Sequence, residues 1–463
     1  MNIIVLNGSP HGQKGITAQY TQYLEIKFSE YNFETIEISR KINRLEKNEK
    51  YLVSIINKMV EADVITWAFP VYTMLVPSQL KLFIELLFKQ NAQELLQGKI
   101  ATGISSSANF YDHTAHNYMH EISSDLGLRY VRGFSAEMND ILSKKGQNNF
   151  LGFAKDFFWK VNENDIIEDR IISKIDWKST DMHSIEIPKK ITKTGNKKIV
   201  IVSDADVEDQ NLIKMIRLFE NQVSHPVEII ELGNTKIKGG CIGCLKCGDG
   251  DACFYKDEYA DAFSKVRKAD IVIYAGAIKD RYYSARFKKF IDRYFSNGHR
   301  NVLSAGLLGH IVSGPLNQIA NMRETLEAHI EVSHCHRLGI VSDDNLDAKM
   351  IGKHINNMVK TVEHWVANEE WTTGQTFLGV GGHKVFRDLV YHYRGVMTAD
   401  YKFYKEKKLL DFPTRNFSQR LFGFLLLTMK KIFKLKLKPK EMNEQRLKPF
   451  KNLLAKEQLA INN

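Results

Sequence analysis

The chain has 463 residues, too many for one ordinary core, so two or three domains are expected. Hydrophobic residues at 43% and charged residues at 26% fit a water-soluble globular protein. The net charge of +11 is concentrated: residues 401–440 hold twelve Lys/Arg against Glu406 and Asp411, so the rest is near neutral and no nucleic-acid partner is expected.

Met1-Asn2 leads straight into Ile3-Ile4-Val5-Leu6, with no basic n-region and no small-residue cleavage site. A cytoplasmic location is the expectation. That first apolar run predicts a strand, followed by a turn and a helix from about Gly15 to Phe28. A strand near Phe33–Ile38, a helix near Lys50–Glu61 and a strand at Val64–Phe69 come next. A helix near Ser78–Leu87, a strand at Ile100–Ser105, a helix from about Asp112 and a strand near Leu128–Phe134 complete residues 1–145. Short apolar runs alternating with helical patterns predict a parallel sheet covered on both faces. Residues 146–195 read as a helical connector carrying Phe150, Phe153, Phe157, Phe158 and Trp159.

Residues 196–369 repeat the pattern. Strands are expected at Lys198–Val202, Val227–Leu232, Ala269–Tyr274, Ala305–Val312 and Leu338–Val341. Helices are expected near Gln210–Asn221, Tyr259–Lys268 and Ala285–Phe295, from about Leu316, and over 346–368. Glu61-Ala-Asp-Val-Ile-Thr-Trp-Ala in the first half matches Lys268-Ala-Asp-Ile-Val-Ile-Tyr-Ala in the second. Leu80-Lys-Leu-Phe-Ile-Glu85 likewise matches Phe287-Lys-Lys-Phe-Ile-Asp292. This is the signature of a tandem duplication of one domain. Residues 370–463 fit neither copy and read as a basic, aromatic-rich, mainly helical region.

The first copy carries Asn7-Gly-Ser-Pro-His-Gly-Gln-Lys-Gly-Ile-Thr17 between its first strand and helix. Ser9 and Thr17 can donate hydroxyls, His11 can donate or carry charge, and Gly8, Gly12 and Gly15 permit close backbone approach. Such a turn can hold an anion at a helix N-terminus, at the carboxyl end of the sheet. An ordinary capped turn is the alternative. In the second copy the equivalent turn reads Ser203-Asp-Ala-Asp-Val-Glu-Asp209, whose carboxylates would repel an anion.

That copy has Cys241, Cys244, Cys247 and Cys253 instead, in the spacing C-x2-C-x2-C-x5-C; Cys335 is the one other cysteine. Clustered thiols in a reducing compartment read as ligands. A 4Fe–4S cluster, a structural zinc ion and metal-free thiols remain open. Lys238, Lys246 and Lys256 are candidates to offset the charge of a cluster. Cys335, between His334 and His336, reads as a core residue.

Three segments of the first copy carry a family resemblance. Asn7-Gly-Ser-Pro with Gly15 and Thr17 resembles the FMN-phosphate loop of the flavodoxin-like NADPH-dependent FMN reductases. Phe69-Pro-Val-Tyr-Thr-Met-Leu-Val-Pro-Ser-Gln-Leu-Lys-Leu-Phe-Ile84 resembles their loop beside the isoalloxazine ring, with Pro70, Val71, Tyr72, Thr73 and Met74 at the matching positions. Ser105–Tyr111, including Ser106, sits where the family closes the flavin site. The family usually has an Arg where this chain has His11. The cysteine loop resembles that of the iron–sulfur flavoproteins, a branch of the same fold with one 4Fe–4S cluster.

The resemblance implies an α/β protein of two tandem flavodoxin-like doubly wound parallel sheets plus a helical C-terminal segment. It implies FMN on the first domain, flavin-borne chemistry, and NAD(P)H or a reduced ferredoxin as donor. In the iron–sulfur branch the cluster of one subunit lies near the flavin of another. The duplication therefore implies a pseudo-dimer in which the two centres exchange electrons, with a small-molecule or protein acceptor. A one-electron carrier or redox sensor, and a zinc-stabilised binding protein with a degenerate flavin site, are the rival readings. A homo-oligomer stays open.

Residues 415–438 read as a basic amphipathic helix, packed on the protein or lying on the inner membrane surface. The uncharged run Leu421–Met429 is too short to span a bilayer. Gly379-Val-Gly-Gly382 reads as a turn.

Overall fold

Two apolar strand runs nucleate two sheets. The computed structural model describes residues 1–164, 172–244, 246–247, 253–294, 299–300, 303, 306–344, 347–368 and 374–412, and isolated positions between 417 and 428. Residues 1–404 form one compact unit and residues 405–463 a second.

The first domain runs β1 (Asn2–Asn7), α1 (Ile16–Lys27), β2 (Asn32–Glu37), α2 (Ile38–Lys47), α3 (Glu49–Glu61), β3 (Val64–Pro70) and α4 (Ser78–Lys89). It continues through β4 (Ile100–Ser107), α5 (Asp112–Asp125), β5 (Arg129–Tyr130), β6 (Phe134–Glu137) and α6 (Lys144–Glu163). The second runs β7 (Ile199–Ser203), α7 (Gln210–Gln222), β8 (Val227–Glu231), α8 (Tyr259–Arg267), β9 (Ile271–Lys279), β10 (Tyr282–Tyr283) and α9 (Ala285–Asp292). It closes with β11 (Leu307–Ser313), α10 (Ala320–Val332), β12 (His336–Ser342) and α11 (Ala348–Asn368). Two more helices follow, α12 (Phe377–His392) and α13 (Thr398–Glu406).

Each domain has the order of a doubly wound sheet. The first is β2-β1-β3-β4-β5, with β6 also on β4; the second is β8-β7-β9-β11-β12. All of these pairings are parallel. Only the short β10 runs antiparallel, to β9. Parallel strands buried on both faces explain the unbroken apolar runs: Ile3 to Leu6 and Ile199 to Val202 are all 3% exposed or less.

The aromatic helix predicted as part of a connector belongs to the first domain. Phe150, Phe157 and Phe158 of α6 pack with Ile3, Val5, Val64 and Ile104. Residues 150, 153, 157 and 158 share one helical face, which is why they enter a core. The connector is correspondingly less helical than expected, with no helix or strand among described residues 172–198. The turn expected at Gly379–Gly382 lies inside α12. The amphipathic helix expected at 415–438 falls mostly outside the described residues. No helix among those described is long and apolar enough to cross a membrane.

Helices α4 and α9 pack on each other and join the domains. Leu80, Phe83, Ile84 and Leu87 recur at i, i+3, i+4 and i+7, as do Phe287, Phe290 and Ile291 at i, i+3 and i+4; all are 4% exposed or less. They share one continuous core. Each such side chain contributes roughly 1.5–3 kcal/mol on burial.

Candidate functional site

The loop after β1 wraps the N-terminus of α1. Ser9 and Thr17 are 2% and 1% exposed, and Ser106 at the end of β4 is 5% exposed. The hydroxyls of Thr17 and Ser106 hydrogen-bond at 2.6 Å. Gly15 is the N-cap of α1 and supplies no capping side chain; a β-carbon there would lie 2.5 Å from Ser9 Oγ. The amide nitrogen of the Asn7 side chain is buried without a partner. An uncapped helix N-terminus, three buried hydroxyls and an orphaned donor make a set that fits the phosphate of FMN.

Charge reaches this loop from an unexpected element. Helix α2 was not foreseen, and its Arg40 lays Cδ against Gly12, where a β-carbon would come within 2.5 Å. The same helix is preceded by Glu37, whose Oε1 accepts the Gln13 N–H at 2.8 Å. Arg40 pairs with Glu37 at 3.9 Å. His11 turns instead toward the second domain, where its Nε2 lies 3.1 Å from the carbonyl oxygen of Gly243.

After β3 the chain makes a tight hairpin. Tyr72 N–H donates to Leu75 O at 2.7 Å and Leu75 N–H to Tyr72 O at 3.1 Å. Between them Thr73 and Met74 take φ of 44° and 67°, and Thr114 Oγ1 donates to Met74 O at 2.6 Å. Pro70 ends β3, and Val71 N–H reaches Ser106 O at 3.4 Å. The two flavin loops predicted at 69–77 and 105–111 are thus hydrogen-bonded neighbours.

The cysteine loop of the second domain meets both. Gly243 has φ +66°, and a β-carbon on it would lie 2.5 Å from the Tyr72 hydroxyl and 2.7 Å from His11 Nε2. Gln79 Nε2 donates to Cys241 O at 3.3 Å. Burial pushes the Tyr72 hydroxyl well above its usual range, and Cys241, Asp292 and Cys244 add to the effect.

The four cysteines are not in disulfides. Burial pushes the Cys241 thiol up to about 12, with Cys247 and Cys253 among the groups reinforcing it. Gly243 N–H donates to Cys241 Sγ at 3.4 Å. Among the described residues no three His, Cys, Asp or Glu side chains are gathered in a form that holds a metal ion. Residue 245 and residues 248–252 of this loop, including Gly248, lie outside the described set. Of the lysines expected beside it, Lys246 is exposed and stands 5.8 Å from the Phe254 ring centroid. The cation buried here is Arg293, 1% exposed. Its Nη1 donates to Asp257 Oδ2 at 2.6 Å, and Cys253 is among the groups it interacts with.

Two ion pairs lock the loops in place with pseudo-twofold symmetry. Lys288 pairs with Asp292 and donates to Tyr72 O at 2.7 Å. Lys81 pairs with Glu85 at 2.8 Å and donates to Lys279 O at 2.8 Å. Each carboxylate also caps the opposite helix. Asp292 Oδ2 accepts the Ser78 N–H at 2.7 Å, and Glu85 Oε1 accepts the Ala285 N–H at 2.6 Å. The hairpins match as well: Asp280 and Arg281 take φ of 47° and 60°, as Thr73 and Met74 do in the first domain.

The second domain fills its own cofactor position. Gly8 and Asp204 are equivalent, since their N–H groups reach Ala68 O at 2.7 Å and Ala275 O at 3.3 Å on matching strands. Asp343 collects donors that could meet a phosphate: Ser313 Oγ at 2.8 Å, Gly314 N–H at 2.8 Å and Asn211 Nδ2 at 2.9 Å. Thr180 of the connector covers it, with Oγ1 donating to Asp343 O at 3.1 Å. FMN does not fit this domain.

Burial pushes the Asp204 carboxyl up to about 7, against hydrogen bonding by Ser284. A raised carboxyl favours the folded state below the unfolded pKa of about 4, and that advantage is lost as pH rises to 7. Asp204→Asn is therefore expected to flatten the fall in denaturation midpoint between pH 4 and 7. Parallel wild-type and variant midpoints across that range would overturn this.

Helix α12 covers the loop after β4, the third of the segments expected to meet a flavin. Phe110 stacks on Phe386 with centroids 4.1 Å apart, and Tyr111 OH donates to Leu378 O at 2.5 Å. Cys335 is 6% exposed, inside the core.

Residues 1–138 match the family model described as NADPH-dependent FMN reductase. An iron–sulfur flavoprotein of Methanosarcina thermophila is 25% identical over 105 residues, covering 23% of this chain and 55% of that protein. The chain thus spans about half the length of the curated relative it matches. Among solved structures, an FMN-dependent NADH-azoreductase from Bacillus anthracis str. Ames Ancestor, in complex with FMN, is 12% identical. The match covers 35% of this chain and 99% of that one, at a TM-score of 0.27. The NAD(P)H:quinone oxidoreductase from Methanothermobacter marburgensis is 9% identical, with coverage of 39% and 100% and a TM-score of 0.29. By that match, residues 1–138 are similar to the NADPH-dependent FMN reductases.

Proposed function

We propose that the chain is a flavin-dependent oxidoreductase that passes electrons between FMN on the first domain and a 4Fe–4S cluster on Cys241, Cys244, Cys247 and Cys253. NAD(P)H or a reduced ferredoxin would be the donor. The observation that carries this reading is the seat of Gly243 between His11 and the Tyr72 hydroxyl. It brings the thiol loop of one domain onto two flavin loops of the other. When bound, FMN takes up two electrons as a hydride and releases them singly, matching a one-electron cluster. Ser9, Thr17, Ser106 and the α1 N-terminus would hold the phosphate. The hairpin of Val71–Met74, fixed by Lys288 and Thr114, would set the ring.

A second reading, a one-electron carrier or redox sensor, is favoured by the cover that α12 lays over Phe110 and Tyr111. Such a roof hinders a bulky hydride donor more than an electron.

Anaerobic purification of the full chain with iron, sulfide, zinc and flavin assays tests both. About four irons, matching sulfide and one FMN per chain are expected. Cys241→Ser is expected to lose iron and keep FMN. Rapid bleaching by NAD(P)H supports the enzyme; bleaching only by a reduced protein partner supports the carrier. A colourless, zinc-bearing preparation would sink both in favour of a zinc-stabilised fold.

A further inference from the structure

We propose that Arg40 of α2 is the cation that meets the phosphate of FMN, and that it makes the first domain select the phosphorylated flavin over riboflavin. The proposal rests on the reading of the first domain as a flavin site and needs nothing from the thiol loop.

The loop after β1 offers an anion neutral donors. Asn7 is 1% exposed; its Oδ1 accepts the Ser9 N–H at 2.9 Å, and its Nδ2 is buried without a partner. Ser9 and Thr17 bring buried hydroxyls to the uncapped N-terminus of α1. A phosphate monoester carries about −1.5 to −2 charge units at neutral pH. A hydrogen bond from a charged donor to such an anion is roughly twice as strong as one from a neutral donor. The loop's own cations are placed elsewhere. His11 Nε2 lies 3.1 Å from the carbonyl oxygen of Gly243, and Lys14 is exposed at the end of the turn Gly12–Lys14.

Three residues at the start of α2 grip this loop. Ser39 is buried and its Oγ donates to Gly8 O at 2.6 Å. Glu37, at the N-cap position, accepts the Gln13 N–H at 2.8 Å. Arg40 lays Cδ 2.5 Å from where a β-carbon of Gly12 would stand, and Gly12, at φ +58°, has none. The stem of Arg40 is thereby fixed against the loop while its head stays at the surface. The side chain is 55% exposed, and its pair with Glu37 is 3.9 Å long. A long, exposed pair is worth little, so the guanidinium can exchange it for a bidentate bond to phosphate. Glu37 works the other way, as an anion held against the same loop. Arg40 and Glu37 therefore act on a phosphate with opposite signs. A role for Arg40 confined to packing on Gly12 predicts no such opposition, because the aliphatic stem alone would serve it.

The test titrates the full chain, freed of flavin, with FMN and with riboflavin, as wild type, Arg40→Met, Arg40→Lys, Glu37→Gln and Lys14→Met. Arg40→Met keeps the stem and loses the charge. It is expected to weaken FMN binding about tenfold or more, the loss of one charged hydrogen bond, and to leave riboflavin binding as in wild type. Arg40→Lys should stay nearer wild type, Lys14→Met should lose less than Arg40→Met, and Glu37→Gln should bind FMN more tightly. Added salt should weaken FMN binding more in wild type than in Arg40→Met. Wild-type FMN affinity in Arg40→Met, or an equal loss for both flavins, overturns the inference and leaves the flavin domain standing. So does a Glu37→Gln change in the same direction as Arg40→Met, or a wild type that binds FMN no more tightly than riboflavin. If Arg40→Met does not fold, unchanged FMN affinity in Arg40→Gln overturns it alone. A wild type that binds neither flavin removes the flavin reading and the inference together.

Discussion

Lys288→Met is expected to lower the unfolding free energy by about 3–5 kcal/mol, the range seen when one partner of a buried ion pair is removed. Lys288 and Asp292 are both fully buried. Without its ammonium, Asp292 keeps Ser78 at the start of α4, whose N–H and side chain both hydrogen-bond to it. The same change frees Tyr72 O, so the flavin hairpin loosens and FMN affinity falls with stability. Lys288→Met/Asp292→Leu is expected to recover most of the stability, because no charge is left behind, but not the affinity. Lys81→Met is the internal control. It should cost less, since Glu85 retains Lys279 at 3.7 Å and is 8% exposed at its side chain. Chemical denaturation of the four proteins, with FMN titration beside it, measures this. Equal midpoints for wild type and Lys288→Met would mean that water reaches the pair and that the domains are not locked through it.

That interface was half visible in the sequence. The repeated Lys-x-x-x-Glu and Lys-x-x-x-Asp helices announced a duplication, but each reads alone as an i,i+4 pair on one helix. Only the packing of α4 on α9 shows that each carboxylate caps the other helix and each lysine grips the other domain's hairpin. The strands were legible because parallel strands buried on both faces are unbroken apolar runs. Helix α2 was missed because Ile38-Ser-Arg-Lys-Ile-Asn-Arg-Leu-Glu-Lys47 is mostly polar, with a narrow stripe of Ile38, Ile42 and Leu45 facing inward. With it went Arg40, the cation beside the phosphate loop. Arg293 was missed for another reason. Forty residues separate it from Cys253, and lysines adjacent in sequence looked like the natural counter-charges. Exposed lysines cost little to place near a loop; a buried guanidinium must be brought there by the fold. Helix α12 was misread because its three glycines suggested a turn, yet Gly379 and Gly382 lie where Glu331, Val332, Phe110 and Tyr111 come close. Small residues there admit another surface without breaking the helix.

Gly243→Ala tests the contact on which the functional reading depends. At φ +66° a β-carbon is strained whatever surrounds it, at roughly 1–2 kcal/mol. Here it would also meet Tyr72 OH at 2.5 Å and His11 Nε2 at 2.7 Å. The loop tip cannot keep its seat, so it must withdraw from both flavin loops or push them aside. Stability is expected to fall by about 1–3 kcal/mol, less than for Lys288→Met, while the local effect is larger. Amide exchange should speed up at residues 8–15, 70–76 and 240–244 and stay unchanged in β9 and β11, far down the sheet core. On the proposed function, iron content would persist, because no cysteine is altered, while electron exchange between the two centres would slow. His11→Ala removes one of the two collisions, so His11→Ala/Gly243→Ala should cost less than the sum of the single changes. Strict additivity would show that His11 and Gly243 do not touch. Unchanged exchange at residues 8–15 and 70–76 in Gly243→Ala would go further, detaching the thiol loop from the flavin loops and with it the argument that the two halves of the duplication exchange electrons.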